Sequence, residues 1–308
     1  MRDLDKLCLK IDVDTHDGMR DGVPALLEDL AHFGIKATFC LSFGPDNAGK
    51  AIFRLFTDPA FLKKMLFTGA PRLYGLRTVL SGTILPARPI ATSFPGLCRD
   101  IVSQGHEVIV HAWDHRKWQD RLADMTLHDI RAEYENAFEA FMEIFSVRPK
   151  AVAAPGWQVT ASSLAVEDEF DLLYASDLRG PSPCFLRTDA RHFSTLQIPT
   201  IGPCIEELLA VGVRDEDEMA ARLLEPLKRA DLPVLAVHAE VEGGMYRPFF
   251  RRFLVTLLRE FQGFSTMEEA ALELFKQKDI PVLYLSSIRI PGRAGKVSSA
   301  EKSLGMRP

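Results

Sequence analysis

The sequence predicts an α/β protein of parallel strands, either an open doubly wound sheet or a barrel. Short apolar or β-branched runs alternate with longer amphipathic ones along 308 residues, the pattern of successive β/α units. The polar residues Asp12 and Asp14, His111, Asp177 and His238 close the first, third, fifth and seventh of the short runs. Ligands sit at the carboxyl ends of strands in either architecture. A barrel fits this convergence better, because it brings strands distant in sequence to one mouth.

Strands are expected at 6–14 (KLCLKIDVD), 36–43, 106–112, 150–155, 172–177, 195–200, 233–240 and 281–288, which makes seven or eight. Helical patterns lie between them at about 21–33, 94–104, 127–146, 161–169, 215–230, 248–261 and 266–277. The clearest is 127–146, where Ile130, Tyr134, Phe138, Phe141 and Phe145 recur at helical spacing. Thr126 or His128-Asp129 suits its start.

One stretch breaks the alternation. From about 44 to 95 apolar residues fall on several faces, and 51–90 carries Arg54, Lys63, Lys64, Arg72, Arg77 and Arg88 against Asp58 alone. A basic, apolar helical insertion in an acidic protein suits docking on an anionic membrane surface. It equally suits a helical hairpin packed on the barrel or on a partner subunit. The expected organisation is therefore one domain over 1–290 with this insertion. A tail over 291–308, rich in Gly, Ser and basic residues, is expected to be disordered.

Composition narrows the function. The chain is 47% hydrophobic, which supports a substantial core, with a net charge of -5 and a pI near 5.9. That balance argues against a nucleic-acid binder. Cys8, Cys40, Cys98, Cys184 and Cys204 are scattered and never form a C-x-x-C pair, so a reducing compartment is expected, with neither a disulfide framework nor a thiolate metal site. The opening MRDLDKLCLKIDVD is charged where a signal peptide would be apolar. No run is long and apolar enough to span a bilayer. A cytoplasmic protein able to touch the membrane surface is expected.

The stretch GHEVIVHAWDHRKW, residues 105–118, places His111 and His115 four apart after an apolar run. The chain has only eight histidines. Two imidazoles and a carboxylate, with positions left for water and substrate, are the minimum for a hydrolytic divalent-metal site. Asp12 and Asp14 offer the carboxylate and point to one side of an extended strand. One can hold the ion while the other serves as a base. His238 is placed to protonate a leaving amine, and Asp177 to pair with its imidazole. Singly, each has a plain structural reading: strand-end turns for the aspartates, a satisfied core histidine for His238, a salt-bridged loop for Asp177-Leu178-Arg179-Gly180. His16 is a competing ligand. Gathered at one rim, the plain readings weaken.

IDVDT, GHEVIVHAWDH, RPKAVAAPGW and VLAVHAE, in this order and spacing, resemble the successive motifs of the polysaccharide deacetylases, the NodB-homology metal-dependent amidases. The resemblance spans roughly residues 6–290. It implies a distorted (β/α) barrel with one divalent ion, of which Zn²⁺, Co²⁺, Mn²⁺, Ni²⁺ and Fe²⁺ all fit. It implies Asp14, His111 and His115 as metal ligands, Asp12 as base and His238 as acid. Two departures stand out. Val13 separates aspartates that are usually adjacent in the family, and Ala153 and Ala154 stand where the family usually carries an arginine that pairs with the base. Arg179 is the candidate for that missing partner.

Within the family, KIDVDT, HAWDH, AAPGWQ, YASDLRG and HAEVEGG are most similar to deformylases acting on 4-deoxy-4-formamido-L-arabinose linked to undecaprenyl phosphate, in the route that adds aminoarabinose to lipid A. The resemblance thus implies a polyprenyl-phosphate-linked sugar as substrate and the inner face of the cytoplasmic membrane as location. The basic apolar insertion suits such a substrate. Trp113 and Trp157 are candidates to wall the sugar, Glu240 and Glu242 to meet its ammonium or hydroxyls, and a backbone N–H near Gly156 to face the oxyanion. The alternatives are a deacetylase or amidase of a soluble N-acyl sugar on the same fold, and a catalytically silent binding protein.

Overall fold

The computed structural model describes residues 6–52, 81–83, 85–277 and 279–302. Most of the basic stretch 51–90 therefore lies outside the described residues, as do 303–308 of the tail.

Seven parallel strands make the main sheet. β1 (Leu7–Val13), β2 (Thr38–Ser42), β3 (Glu107–Ala112), β4 (Ala151–Val152) and β5 (Tyr174–Ala175) follow one another outward from β1. On the other side of β1 lie β7 (Val234–His238) and, lower down, β8 (Phe264–Ser265). Every residue of β1 is buried, the mark of a strand covered on both faces. Its alternation sorts two environments. Leu7, Leu9, Ile11 and Val13 join the core under the helices, whereas Cys8 packs with Cys40, Ile109, Ala151 and Tyr174 from the neighbouring strands. Lys10 and Asp12 share the inward side with Cys8.

The expected strand at 195–200 is not regular, because Pro199 has no N–H to donate. The segment still closes the structure. Ala175 donates to the Leu196 carbonyl, Ile198 to Ala175 and Thr200 to Leu178, while Ile201 donates to Val234 on β7 at 3.0 Å. The sheet thus curls into a distorted barrel whose last member is an irregular chain.

The helices fall close to the expected spans. α1 (Val23–Phe33) has Pro24 in its first turn and ends at Gly34, whose φ of 66° suits a residue without Cβ. α2 (Pro95–Ser103) precedes β3, and α3 (His115–Arg121) starts immediately beyond it. α4 (Leu127–Phe145) begins with Thr126 and Asp129 capping each other reciprocally. α5 (Ala161–Glu167), α6 (Ile205–Ala210), α7 (Glu216–Lys228), α8 (Arg247–Glu260) and α9 (Met267–Leu274) are the other α-helices among the described residues. Met267, Ala270, Ala271 and Leu274 of α9 close the inner cluster.

Two further expectations are corrected. The run at 281–288 does form a strand, β9 (Val282–Arg289), but outside the barrel: it pairs in parallel with β6 (Phe185–Arg187) in a separate three-stranded sheet. The tail expected to be disordered from 291 turns through Gly292 at φ 85° and returns as β10 (Lys296–Glu301), antiparallel to β9. Polar composition suggested disorder, yet Ser298 and Ser299 are buried. The Ser298 hydroxyl accepts from the Val159 N–H at 3.0 Å, and its carbonyl from the Arg179 N–H. A hydroxyl with partners costs little to bury.

Candidate metal and catalytic site

Asp14 follows β1, His111 is the last but one residue of β3 and His115 opens α3. The turn between the histidines is set by Asp114, whose carboxylate accepts the Lys117 N–H and caps α3. His111 Nε2 lies 3.2 Å from Asp14 Oδ1, and His115 Nε2 lies 3.2 Å from Asp14 Oδ2. All three donor atoms sit within 4.8 Å of one another.

The tautomer of His111 is fixed by its other nitrogen. Nδ1 lies 2.7 Å from the Ala153 carbonyl, which only accepts, so Nδ1 carries the hydrogen and Nε2 presents its lone pair. Burial pushes the Asp14 carboxyl up, but His115 and His111 bring it well below the usual carboxylate range. A carboxylate and two imidazole nitrogens from separate elements thus converge on one point, the kind of donor set that holds a cation. The donor set fits a divalent ion of the Zn²⁺, Co²⁺, Mn²⁺, Ni²⁺ or Fe²⁺ type.

Asp12 is 3% exposed and stands beside this centre, level with His238 across the β1–β7 pairing. Its Oδ2 accepts from Lys10 Nζ at 2.8 Å, and its Oδ1 has no hydrogen-bond partner. Burial raises the Asp12 carboxyl; Lys10, His111 and His238 outweigh this and hold it below its ordinary value. Arg179, expected as the cation beside this aspartate, is elsewhere. Its guanidinium pairs with Glu207 at 2.9 Å, meets the Gly202 carbonyl and stacks on Trp157. Strand alternation explains the correction: Lys10 is two residues before Asp12 and enters the barrel on the same side.

His238 ends β7 with Nδ1 3.0 Å from Glu206 Oε1, a close charge contact rather than an aligned hydrogen bond. Burial alone would lower the imidazole, but Glu206 lifts it well above its usual value. Asp177, expected in that role, does not serve it. Its carboxylate accepts from the Ala154 N–H at 2.6 Å and from Gln197 Nε2 at 3.2 Å. The same Gln197 nitrogen reaches Glu167. Burial pushes the Asp177 carboxyl up, against the hydrogen bonds with Glu167, Gln197 and the Ala154 N–H. Asp177 therefore fastens the 153–154 peptide, whose carbonyl orients His111.

Trp157 is buried with φ 54°, strained for a bulky side chain. Its indole donates to Thr200 Oγ1, its ring meets His238 edge-on at 6.3 Å, and Arg179, Arg293 and Lys10 lie over it at 4.3, 4.8 and 5.4 Å. These contacts hold the strain. Gly156, at φ 61°, takes a backbone conformation that favours glycine, and a Cβ there would have to displace the Gln119 amide. Trp113 is half-buried at the rim, with its carbonyl and ring against Gly44. Glu240 is buried, and burial beside Asp14 raises its carboxyl well above the ordinary range. Glu242 accepts the His238 N–H at 2.8 Å and is pushed up to about 8, chiefly by burial. His16 turns away: its Nδ1 bonds the Pro89 carbonyl.

The sequence profile described as polysaccharide deacetylase matches residues 11–175, which span β1 to β5 and hold Asp12, Asp14, His111 and His115. The chain belongs to the polysaccharide deacetylase family. A protein of Shewanella sediminis named "Probable 4-deoxy-4-formamido-L-arabinose-phosphoundecaprenol deformylase ArnD" is 33% identical over 295 residues, covering 95% of this chain and 94% of that one. A protein of the same name from Wigglesworthia glossinidia brevipalpis is 29% identical over 291 residues, covering 92% and 99%. Among solved structures, one described as "Crystal structure of putative polysaccharide deacetylase from Mycobacterium smegmatis" superposes with a TM-score of 0.61 at 19% identity, covering 90% of this chain and 92% of that one. That likeness concerns the fold.

Two residues of this candidate site were missed by sequence reasoning. Lys10 carries a signal in hindsight, being in phase with Cys8 and Asp12 on β1. Glu206 carries none, since nothing in CIEELLA marks which glutamate faces a histidine on another element.

Proposed function

We propose that this chain is a metal-dependent amide hydrolase that removes the formyl group from undecaprenyl-phosphate-linked 4-deoxy-4-formamido-L-arabinose. Under this reading it serves lipid A modification with aminoarabinose, and through it resistance to polymyxin. The observation that carries the reading is the 33% identity over 95% of the chain to a protein named as that deformylase. The pairing of Asp12 with Lys10 and of His238 with Glu206 around the Asp14–His111–His115 cluster supports it.

A divalent ion held by Asp14, His111 and His115 supplies Lewis acidity, making water more acidic and the formyl carbonyl more electrophilic. The chain's own groups do the rest. Lys10 occupies one oxygen of Asp12, and the unbonded Oδ1 takes a proton from the attacking water as it adds to the formyl carbon. His238, kept protonated by Glu206, delivers a proton to the departing nitrogen as the C–N bond breaks. The products are formate and the free amino sugar. Trp157, fixed by Thr200 and three cations, walls the sugar, and Trp113 bounds the rim. Glu240, neutral in its buried position, donates to a sugar oxygen.

No helix among the described residues is long and apolar enough to cross a membrane. The proposed lipid-linked substrate instead calls for a peripheral position on the inner membrane face, with 51–90 as the docking stretch. The test is formate release from the lipid-linked formamido sugar beside acetate release from N-acetylglucosamine oligomers. Formate without acetate supports the reading. Acetate without formate replaces it with a deacetylase of soluble N-acyl sugars.

A further inference from the structure

A groove of about 880 Å³ lies beside the candidate site, between α6, α7, the 199–203 segment and the end of β9. Its lining is largely aliphatic and prolyl, including Ile201, Pro203, Leu208, Val211, Ile290 and Pro291. Val211 remains 45% exposed there. Two arginines at its edge, Arg222 and Arg229, are each neutralised by a glutamate one turn away, Glu218 and Glu225.

The floor is different. Glu207, 3% exposed, meets Arg179 at 2.9 Å and also Arg293 at 3.1 Å. Two guanidinium groups on one carboxylate leave a positive charge uncompensated at the base of an apolar trough. Arg293 also marks where the groove meets the reaction site. Its chain neighbours Ile290 and Pro291 line the groove, while its guanidinium lies over Trp157, whose edge faces His238. Its side chain keeps 18% of its surface open. An apolar trough ending in a partly open cation next to the catalytic histidine has the polarity of an amphiphile with an anionic head beside the reacting group.

We propose that this groove binds the first isoprenoid units of a prenyl-phosphate-linked substrate, with Arg293 at its phosphate. The assignment rests on the deformylase reading for its substrate class. The direction is set by the geometry: sugar under His238 and Trp157, phosphate at Arg293, chain along Leu208 and Val211. Burial of an aliphatic chain supplies affinity, and the charge-assisted contact supplies register.

The test is calorimetric titration of the full-length, metal-loaded protein with farnesyl phosphate, and with inorganic phosphate and a lysophosphatidic acid as comparisons. Farnesyl phosphate is expected to bind at least about tenfold more tightly than either, and Val211→Asp and Arg293→Gln each to weaken it by about tenfold or more. Val211 is exposed, so its substitution leaves folding intact, which circular dichroism checks. Unchanged affinity in both variants, or equal binding of the lysophosphatidic acid, overturns the assignment. Formate release, read separately, distinguishes the two levels. Turnover of the lipid-linked sugar with a KM unmoved by Val211→Asp removes the groove and leaves the deformylase. Variant-sensitive farnesyl phosphate binding without formate release does the reverse.

Discussion

Lys10 Nζ and Asp12 Oδ2 lie 2.8 Å apart, and the lysine side chain is wholly closed to solvent. A buried lysine persists only with a partner, because an isolated ammonium in an apolar interior is costly. Burial pulls the ammonium down and Asp12 lifts it, with the balance above its ordinary value. Both groups are therefore charged, and the proposed base is oriented by its own strand.

Lys10→Met is accordingly expected to lower kcat by about 100-fold, the scale of an ill-placed general base, with metal content unchanged. Lys10→Arg, which keeps the charge, should recover part of the loss. Steady-state kinetics with metal analysis on folded protein checks this. A Lys10→Met enzyme with wild-type kcat would take the lysine out of the mechanism.

His238 is lifted well above its usual value although burial opposes the charge, and Glu206 is the main cause of the lift. An acid must be protonated to act, so activity falls as pH rises through the His238 pKa. Glu206→Gln removes the anion, and the alkaline limb of the kcat profile should move to lower pH. A limb left in place would mean that another group is the acid.

His106 sits away from the site and affects stability. Burial first, then Lys36, lowers its imidazole from about 6.5 to about 4, and the Ala37 N–H donates to its Nδ1, which requires the neutral ring. The folded pKa lies below the unfolded one, so this contribution is fully present above about 6.5 and is lost as pH falls through about 4. Discounted for solvent access, it is on the order of 2 kcal/mol. His106→Gln should flatten urea-unfolding stability between those pH values relative to wild type. Parallel curves would deny the linkage.

The β9–β10 hairpin should matter for stability and not merely trail the barrel. Val297 is 1% exposed and packs with Trp157 and Cys204. Val297→Ala should cost about 1–2 kcal/mol in chemical denaturation, the usual range for trimming a buried branched side chain. No change would return the tail to the disordered state its composition suggested.

The residues that made the site legible were those whose chemistry and position agreed. Asp14, His111 and His115 are scarce ligand types at or just beyond strand ends, and alternation alone placed Asp12 on their side. What stayed hidden were choices among alike partners. Asp177 and Glu206 are both carboxylates near the rim, and only the tertiary contact of Glu206 with His238 at 3.0 Å selects it. Likewise, Arg179 was the visible arginine, but Glu207 captures it. The apolar pattern of 281–288 marked a strand without telling which sheet receives it, because period reports exposure of faces and not the identity of neighbours.

The most direct measurement of the site's role is bound metal and formate turnover on the same preparations of wild type, His115→Ala and Asp12→Asn. His115→Ala should lose metal and turnover together, while Asp12→Asn keeps the metal and loses turnover by about 100-fold or more. Full metal and full turnover in His115→Ala, or undiminished turnover in Asp12→Asn, would contradict the assignment of these residues.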